Sequence, residues 1–309
     1  MHNPTIILSK GTENWILGAI SRDLKKMHGG RILFFPNRKK QLITKLKYIF
    51  FIPRGTLMIL HQDIFLKMIE NKKKTSNCDV TVFYTHHGSA EPDKLTNLKV
   101  LRKATKVIVC SLEIKKFLVQ FVGSDFENKI HVVLGGADVS RFKSVNANRD
   151  PSKVIFVSNL TGRKRPDLIV RTVKENSDFF FTLHGKNWLG SIFLDQLKTL
   201  PNFRYIDFDF QKANEIYNQS SVFMSLSDLE GAPMPALESL AAGCKVILTN
   251  TGFSQELSNI SKSVVVIPIN PSSIDVKNSL RMIQDSPYPH ANIRESFNYL
   301  NFLKEFIPK

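Results

Sequence analysis

Short apolar runs alternate with longer amphipathic stretches along the whole chain, and the alternation occurs twice. The first series of runs, rich in Ile, Val and Phe, is Thr5–Leu8, Arg31–Phe35, Thr56–Leu60, Asp79–Tyr84, Lys106–Cys110 and Lys129–Val133. The second series is Val154–Val157, Phe179–Leu183, Phe203–Ile206, Ser221–Ser225, Lys245–Leu248 and Val264–Ile267. Such runs are typical of strands in repeated βα units. The pattern predicts an α/β protein with two doubly wound, Rossmann-like domains, each built on a mostly parallel sheet.

The chain length and one polar segment indicate how these domains divide. A chain of 309 residues is long enough for two α/β domains of ordinary size. Residues 145–151 carry no apolar period, which is typical of an interdomain linker. We therefore expect an N-terminal domain over residues 1–150, a C-terminal domain over residues 151–288, and a helix in residues 289–309 that packs back across the domains. Ligands of such folds bind in a cleft at the carboxyl ends of the strands, so function is expected on post-strand loops.

The formal net charge of +16 is concentrated in the first half of the chain. Residues 1–150 contain 26 Lys and Arg against 12 Asp and Glu, whereas residues 151–309 contain 17 against 15. The excess is densest between Arg38 and Lys74, where basic and large apolar residues mix as they do on surfaces that bind anionic lipid headgroups. A solvated basic face, or a compositional bias toward Lys, Asn, Ile and Phe, would give the same pattern. No motif of a nucleic-acid module accompanies the charge, so nucleic acid is not an expected partner.

Cysteine spacing and hydropathy indicate the compartment. Cys78, Cys110 and Cys244 stand far apart, which gives neither metal-ligand spacing nor a disulfide framework. The N-terminus lacks the basic leader and the apolar region of a signal peptide. The apolar runs are far shorter than the ~20 residues that cross a bilayer. We therefore expect a cytoplasmic protein that is peripheral on the inner face of the cytoplasmic membrane.

Candidate chemistry is densest in residues 225–250, where a strand, a loop with Gly and two prolines, and a helix follow one another. The helix is expected to open near Met234 or Pro235, because proline in a first turn costs no hydrogen bond. Free N–H groups and the positive end of the helix dipole suit such a terminus to a phosphate. Glu230 lies just ahead of the helix and Glu238 about one turn inside it, so the pair could accept hydrogen bonds from two sets of hydroxyls on one elongated ligand. A capping acid and a solvated helix glutamate would also explain the pair.

Residues 230–250 as a whole resemble the donor-binding segment of retaining GT-B glycosyltransferases with the E-x7-E motif. This is the family 4-like, group 1 family, which includes sucrose synthases and bacterial polysaccharide and mannosyl transferases. The resemblance implies the GT-B fold, with two Rossmann-like domains facing a central cleft. It also implies that Glu230 holds hydroxyls of the donor sugar and that Glu238 holds the ribose. The intervening donor-binding residues would be Gly231, Ala232, Pro233, Met234 and Pro235.

Three consecutive cations, Arg163, Lys164 and Arg165, follow the first strand of the second series. On a post-strand loop just before a helix they could neutralise a diphosphate as it leaves, although a solvated basic turn is the alternative. By resemblance to the same family, Lys164 corresponds to the lysine of a pattern that consists of Gly-Arg-Leu, three variable residues and then Lys-Gly. Asn159 occupies the place of the usual arginine among the donor-binding residues. Arg163 or Arg165 is therefore expected to supply the second phosphate cation.

Three further loops carry the remaining candidate residues. His87 and the histidine before it do not suit a metal, since neighbours on an extended chain point to opposite sides. The resemblance places His87 against the donor sugar, across the cleft, and a polar loop histidine without a catalytic role is the alternative. His184 and Gly185, after another strand, would lie near the nucleotide. Gly11 and Thr12, after the first strand, could border the acceptor.

Asp207 and Asp209 form the Asp-x-Asp sequence of the other large glycosyltransferase fold, in which two carboxylates hold a divalent metal. The motif lies late in the chain, and the cations around Lys164 already offer charge compensation without a metal. We therefore expect ordinary loop carboxylates here, and no metal or other cofactor for the protein.

Together these features predict a metal-independent, hexosyltransferase-type glycosyltransferase with His87, Lys164 and Glu230 as its catalytic residues. It would move a sugar from a nucleotide diphosphate sugar to an acceptor hydroxyl, on a lipid-linked or cell-surface glycan, with the retention of anomeric configuration that the resemblance implies. One alternative is an inverting GT-B transferase or a sugar-nucleotide epimerase, which would need a base from the N-terminal domain. The other is a catalytically silent GT-B scaffold or subunit at the membrane, which Asn159 favours.

Overall fold

The computed structural model describes residues 5–10, 16–35, 51–85, 97–145, 148–289 and 299–306. These residues form two compact units. The first contains the described residues up to Leu134 together with those from Leu300, and the second runs from Gly135 to Tyr299. Within the described ranges, no helix is both long enough and apolar enough to cross a membrane.

The first unit is built on a six-stranded parallel sheet. Its strands are β1 (Thr5–Lys10), β2 (Arg31–Phe35), β3 (Gly55–Ile59), β4 (Cys78–Phe83), β5 (Lys106–Val109) and β6 (Ile130–Val132). They lie in the order β2-β1-β3-β4-β5-β6. The helices are α1 (Ile16–His28), α2 (Gln62–Glu70) and α3 (Leu112–Val122), with 3-10 helices at Asn97–Lys103 and Ser124–Lys129. All four residues of β5 are buried, as expected of a strand that is covered on both faces.

The second unit also has a six-stranded parallel sheet. Its strands are β7 (Lys153–Asn159), β8 (Phe180–Lys186), β9 (Phe203–Asp207), β10 (Val222–Ser225), β11 (Lys245–Thr249) and β12 (Val264–Ile267). Their order, β12-β11-β10-β7-β8-β9, reverses direction between β7 and β10. The helices are α4 (Pro166–Glu175), α5 (Ile192–Lys198), α6 (Ala213–Asn218), α7 (Met234–Ala241), α8 (Ser254–Ile260) and α9 (Ser273–Asp285), with 3-10 helices at Gly162–Lys164 and Phe210–Lys212. The twelve predicted strands and the doubly wound α/β architecture are confirmed.

The division between the units falls after Leu134, earlier in the chain than the predicted boundary near residue 150. The reason is that the segment after Leu134 packs against α6. The Phe142 ring lies edge-on to Tyr217, with 5.9 Å between the ring centroids. The side-chain oxygen of Asn218 accepts a hydrogen bond from the Val145 N–H at 2.9 Å. The polar stretch therefore follows a segment that already belongs to the second unit.

The last described residues pack in the first unit, where α10 (Tyr299–Lys304) ends the chain's regular structure within the described ranges. Phe302 and Phe306 lie edge-on to Phe83, with ring centroids 5.8 and 5.6 Å away. Lys106 donates to the Glu305 carbonyl at 2.6 Å and forms an ion pair with the Glu305 carboxylate at 2.8 Å. A terminal helix is thus present, although residues 290–298 and 307–309 of the predicted segment lie outside the described residues.

Candidate functional site

Two loops meet at the carboxyl ends of β7 and β10, the neighbouring strands at which the second sheet reverses its order. The loop after β7 carries Arg163 and Lys164, and the loop after β10 carries Asp228 and Glu230. The backbone N–H of Asp228 donates to the Arg163 carbonyl at 2.9 Å, which joins the two loops directly. Open α/β sheets bind their ligands outside the strand ends at such a reversal.

Lys164 and Arg163 both contact one carboxylate oxygen of Glu230. Lys164 Nζ forms an ion pair with Oε1, and Arg163 Nη1 lies 3.0 Å from the same atom. The Glu230 side chain is 7% exposed, compared with 15% for Lys164 and 32% for Arg163. Two positive charges and one negative charge leave this cluster with a net positive charge. We call Arg163, Lys164 and Glu230 the switch-point cluster, and its charge would attract an anionic ligand group.

Two opposed effects set the pKa of Glu230. Burial by itself raises the pKa, because the charged form of the carboxyl loses its hydration. The charges of Lys164 and Arg163, with hydrogen bonds from Lys164 and Ser227, outweigh burial and lower the pKa to about 2. At neutral pH Glu230 is therefore an ionised carboxylate, which can only accept hydrogen bonds.

The backbone around Glu230 is held in place by neighbouring loops. Arg163 Nη1 donates to the Leu229 carbonyl at 2.8 Å, and the Glu230 N–H donates to Thr251 Oγ1 at 3.0 Å. Gly252 has a φ of +63°, and a Cβ there would lie 2.8 Å from the Glu230 carbonyl oxygen. Only glycine fits this close approach without strain. The turn that carries Gly252 thus supports the loop of Glu230 from behind.

The predicted helix start is confirmed, but its terminus is less open than expected. α7 begins at Met234, with Pro233 before it and Pro235 in its first turn. The N–H of Met234 donates to the Ala232 carbonyl, and the N–H of Ala236 donates to the Pro233 carbonyl, both at 2.7 Å. Pro235 has no N–H to offer. The prediction of free N–H groups at this terminus was therefore wrong in part, because the N–H groups of Met234 and Ala236 already have carbonyl partners.

Glu238 lies in α7 in a different environment from Glu230. It is buried, and its Oε2 accepts a hydrogen bond from the Tyr217 hydroxyl at 3.1 Å. Burial raises the pKa of Glu238 to about 7, although the Tyr217 hydrogen bond and the charge of Arg141 both oppose the rise. This carboxyl therefore titrates near neutral pH, whereas that of Glu230 does not.

The structure separates Arg165 from the switch-point cluster. Arg165 has a left-handed backbone, with φ 49° and ψ 61°, in a region that favours glycine, the residue that the family pattern has after the lysine. Its guanidinium lies 3.2 Å from Asp167 and 2.9 Å from Asp228, and it also donates to Asn270 at 3.0 Å. Asn159 accepts a hydrogen bond from the side chain of Asn187 at 2.8 Å.

His184 and Gly185 have packing roles in the second unit. His184 is fully buried, its ring stacks on Phe208 at 4.8 Å, and its Nε2 accepts from the Asp209 N–H at 2.9 Å. Burial lowers the pKa of His184 to about 4, so the imidazole is neutral at pH 7. A Cβ on Gly185 would lie 2.6 Å from the Trp188 ring. The His184 ring is therefore packed among protein atoms, and the Trp188 ring fills the space beside Gly185 where a side chain would begin.

Local hydrogen bonds occupy both carboxylates of the Asp-x-Asp sequence. Asp207 accepts from the Tyr205 hydroxyl at 2.9 Å. Asp209 accepts from the Gln211 N–H at 2.9 Å and so caps the 3-10 helix that follows. In the part of the chain that the structure describes, no three His, Cys, Asp or Glu side chains are grouped as metal ligands.

Some candidates lie outside the described residues, and one contact has no signal in the sequence. His87, Gly11 and Thr12 fall outside the described ranges, as do residues 38–50 of the basic segment. The sequence does not point to Tyr217, because no motif links the helix before β10 to the helix after it.

Comparison with known proteins gives a consistent result for the second unit. Residues 138–297 match the family model described as Glycosyl transferases group 1. The O-antigen biosynthesis glycosyltransferase WbnH of Escherichia coli is 28% identical over 162 residues. That match covers 52% of this chain but 46% of the relative, so it spans less than half of the relative's length.

Solved structures resemble the whole chain at low sequence identity. The sucrose-phosphate synthase of Thermosynechococcus elongatus has a TM-score of 0.77 and 15% identity, and the similarity covers 98% of this chain and 97% of that one. HepE of Anabaena, in complex with UDP-glucose, has a TM-score of 0.72 and 14% identity over 99% and 98% of the two chains. These similarities confirm the predicted fold.

Proposed function

Because the chain belongs to the glycosyl transferases group 1 family and has the GT-B fold, we propose that it transfers a sugar from a nucleoside diphosphate sugar to an acceptor hydroxyl. The observation that carries the proposal is the switch-point cluster, with two cations on one buried carboxylate. The carboxylate suits sugar hydroxyls, and the cations suit phosphate oxygens. The binding of UDP-glucose by HepE, a protein of the same fold, supports a donor of this chemical class.

Departure of the nucleoside diphosphate is the step that needs catalysis. The bond between the anomeric carbon and the β-phosphate oxygen breaks, and its electron pair leaves with the diphosphate. The acceptor oxygen forms the new bond to that carbon, and the proton of the acceptor hydroxyl passes to the departing diphosphate. Lys164 and Arg163 would stabilise the negative charge that develops on that phosphate. Removal of one such preorganised donor typically costs about 10²–10³ in rate. Glu230, ionised at neutral pH, would orient the sugar by accepting hydrogen bonds from its hydroxyls.

Arg163, rather than Arg165, is the second phosphate cation in this proposal. Arg163 lies beside Lys164 on Glu230, whereas two aspartates and an asparagine engage the guanidinium of Arg165. Asn159, where the family pattern has an arginine, is neutral and hydrogen-bonded to a neighbouring asparagine. Arg163 would therefore take over a charge that the family pattern places at the end of β7.

The remaining donor contacts follow from the resemblance. Glu238 would hold the ribose, and the backbone of residues 231–235 would border the phosphates. His87 would support the sugar, while Gly11 and Thr12 would border the acceptor. These last three positions lie outside the described residues and stay predictions.

The stereochemistry and the metal requirement are also part of the proposal. We expect retention of configuration at the anomeric carbon, as the family resemblance implies. We also expect activity without a divalent metal, because cations of the chain itself lie at the proposed phosphate site. Nuclear magnetic resonance of the product distinguishes retention from an inverting transferase, and conversion of the donor without transfer would indicate an epimerase.

The acceptor is proposed to be a lipid-linked or cell-surface glycan. The match to an O-antigen biosynthesis glycosyltransferase supports a polysaccharide acceptor. The basic residues between Arg38 and Lys74 would bring the protein to anionic lipid on the cytoplasmic face of the membrane. Co-sedimentation with vesicles that contain or lack phosphatidylglycerol, at low and high salt, tests this association.

The decisive experiment is a thermal-shift screen against UDP-, GDP- and ADP-sugars, with and without EDTA. A ligand that binds the folded state raises the melting temperature. We expect a shift with one nucleotide class that survives EDTA, followed by transfer to a lipid-linked glycan in an assay with that donor. Binding without turnover would favour the catalytically silent scaffold that Asn159 also allows. No shift with any donor would contradict the proposed function.

A further inference from the structure

Tyr217 is buried beside Glu238, although it lies in none of the motifs that identify the candidate site. The side chain is 1% exposed. Its ring lies edge-on to Phe142, with centroids 5.9 Å apart, and to Phe223, with centroids 6.5 Å apart. Its hydroxyl donates to Oε2 of Glu238 at 3.1 Å. Aromatic packing thus fixes the direction from which the hydroxyl approaches the carboxyl group.

The backbone of Tyr217 is anchored as firmly as its ring. Its carbonyl accepts hydrogen bonds from Arg149 Nη1 at 2.9 Å and from the Cys244 thiol at 3.2 Å. Arg149 also donates to the carbonyl of Ala242 at the end of α7. The same guanidinium therefore ties the end of α6 to the end of the helix that carries Glu238. The distance between phenol and carboxyl is set by this arrangement of the two helices.

The two oxygens of Glu238 are not equivalent. A tyrosine hydroxyl has one hydrogen to donate, and here it goes to Oε2. The structure records no donor to Oε1 among the described residues, and Glu238 keeps 7% of its surface exposed. Burial raises the pKa of Tyr217 well above its ordinary value, so the phenol stays protonated and continues to donate. One oxygen is occupied and the other is left to accept.

We propose that Tyr217 is a positioning residue: it holds Glu238 as a carboxylate and leaves Oε1 to accept hydroxyls of a bound nucleoside diphosphate. This inference rests on the proposed function. The hydrogen bond and the Arg141 charge both favour ionised Glu238, and burial opposes them. Tyr217 from α6 and Arg141 from the segment before β7 are the groups recorded as facing Glu238 within the described ranges.

The consequence is a coupling between nucleotide binding and proton release. Hydrogen bonds to an ionised acceptor are roughly twice as strong as bonds to a neutral one. Because Glu238 titrates near neutral pH, bound hydroxyls should favour its carboxylate form, and the affinity should fall as Glu238 takes up a proton. Loss of the Tyr217 hydroxyl should make that proton uptake occur at higher pH.

The test is calorimetric titration with UDP, or with GDP or ADP if the screen selects that nucleotide, at pH values from about 5.5 to 8.5. The variants are Tyr217→Phe, Glu238→Gln and the double variant, and the matched control is Tyr205→Phe. The hydroxyl of Tyr205 also lies at a carboxylate, 2.9 Å from Asp207 Oδ1, with the Gly185 carbonyl as a second acceptor at 3.0 Å. We expect Tyr217→Phe to weaken binding at pH 7 about tenfold, as for a hydrogen bond to a charged group, and to move the pH midpoint upward. Tyr205→Phe should change neither.

The double variant separates positioning from a merely structural role. If Tyr217 acts through Glu238, its change to Phe should have no further effect once Glu238 is Gln, and Glu238→Gln should abolish the pH dependence near neutrality. Equal losses in both backgrounds, or an unchanged pH midpoint in Tyr217→Phe, would overturn the inference.

A measurement without ligand keeps this inference separate from the proposed function. Carbon-13 resonance of labelled glutamate carboxyls, with Glu238→Gln for assignment, reports the titration of Glu238 in the free protein. An upward shift of that titration in Tyr217→Phe would show that the Tyr217 hydrogen bond favours the carboxylate form of Glu238. This result would stand even if no nucleotide bound, and the absence of binding would count against the proposed function alone. An unshifted titration would contradict the positioning role.

Discussion

Glu230 and Glu238 lie on the same loop and helix, seven residues separate them, and both are buried, yet their carboxyl groups differ in charge. Taken as whole residues, Glu230 is 6% exposed and Glu238 is 7% exposed. Two cations surround Glu230, and its pKa falls to about 2. Burial raises the pKa of Glu238 to about 7, and the hydrogen bond from the Tyr217 hydroxyl only partly offsets that rise. The difference therefore comes from the neighbours and not from the degree of burial.

This contrast assigns different work to the two residues. Desolvation raises the pKa of any buried carboxyl, and a nearby opposite charge is needed to reverse the effect. Glu230 has that charge, so it can serve as a permanent anion that orients a ligand and holds two cations in place. Glu238 lacks an equally close cation, so its charge depends on pH and on what binds to it.

The largest expected effect comes from Lys164→Ala, which removes the most buried cation beside Glu230. We expect kcat/KM for transfer to fall by about 10³, since one preorganised donor at a developing charge is worth about 10²–10³ and donor binding also weakens. The measurement is initial transfer rate against donor concentration. Lys262→Ala, at an exposed position of the same unit, is the matched control and should keep full activity. A Lys164→Ala variant that folds and transfers sugar at the wild-type rate would remove the switch-point cluster from the mechanism.

The second largest expected effect is on the free energy of unfolding, and it is measured by comparing Glu238→Gln with Glu230→Gln. A folded-state pKa of about 7, above the ordinary 4.5, means that wild type loses stability relative to Glu238→Gln as pH rises from 4.5 to 7. The relative loss is on the order of 3 kcal/mol at 1.36 kcal/mol per pKa unit. The contribution of Glu230, with its pKa lowered to about 2, is present above pH 4.5 and is lost only as pH falls toward 2.

Urea unfolding of wild type and the two Gln variants at about pH 5 and pH 8 checks this contrast. The difference in unfolding free energy between wild type and Glu238→Gln should change strongly between the two pH values. The corresponding difference for Glu230→Gln should stay constant, because both its folded and its unfolded pKa lie below this range. Equal pH dependence for the two variants would show that the environments of the two glutamates are alike.

The sequence predicted the positions of the site better than its contacts. The strands are local signals, and a parallel sheet brings its carboxyl strand ends to one edge. The order of apolar runs and loops therefore places Lys164 and Glu230 at the same edge of the sheet, and the family resemblance singles them out among the residues of those loops. The start of α7 at Met234 was equally local, because two prolines limit where the helix can begin.

The contacts depend on features that no local pattern encodes. The left-handed backbone at Arg165 directs that side chain to Asp228, and this leaves Arg163 beside Glu230. Tyr217 reaches Glu238 because α6 and α7 pack together, although their sequences lie on different βα units. Which cation pairs and which carboxyl titrates are therefore properties of the tertiary structure.

A smaller effect is expected for Arg163→Ala, which leaves Lys164 as the remaining cation on Glu230. We expect kcat to fall by about 10- to 30-fold, less than for Lys164→Ala, because Arg163 is the more exposed of the two. Adding Asn159→Arg to this variant should restore part of the loss, since it returns a cation to the place where the family pattern has one. Arg165→Ala is the comparison, and its effect on kcat should be smaller. A larger loss for Arg165→Ala, with no rescue by Asn159→Arg, would exchange the proposed roles of the two arginines.

The smallest effect is expected for Asp207→Asn. This variant tests whether any acidic residue on a post-strand loop affects transfer, or only one that has buried, cationic neighbours. Asp207 is exposed and accepts a hydrogen bond from Tyr205, and an asparagine oxygen can still accept that bond. We expect kcat/KM to stay within about twofold of wild type, in the presence and absence of EDTA. The measurement is the same transfer assay with Mg²⁺, Mn²⁺ or EDTA. If Asp207→Asn abolished a metal-dependent activity, a metal at the Asp-x-Asp sequence, and not the switch-point cluster, would be the group that compensates the charge of the diphosphate.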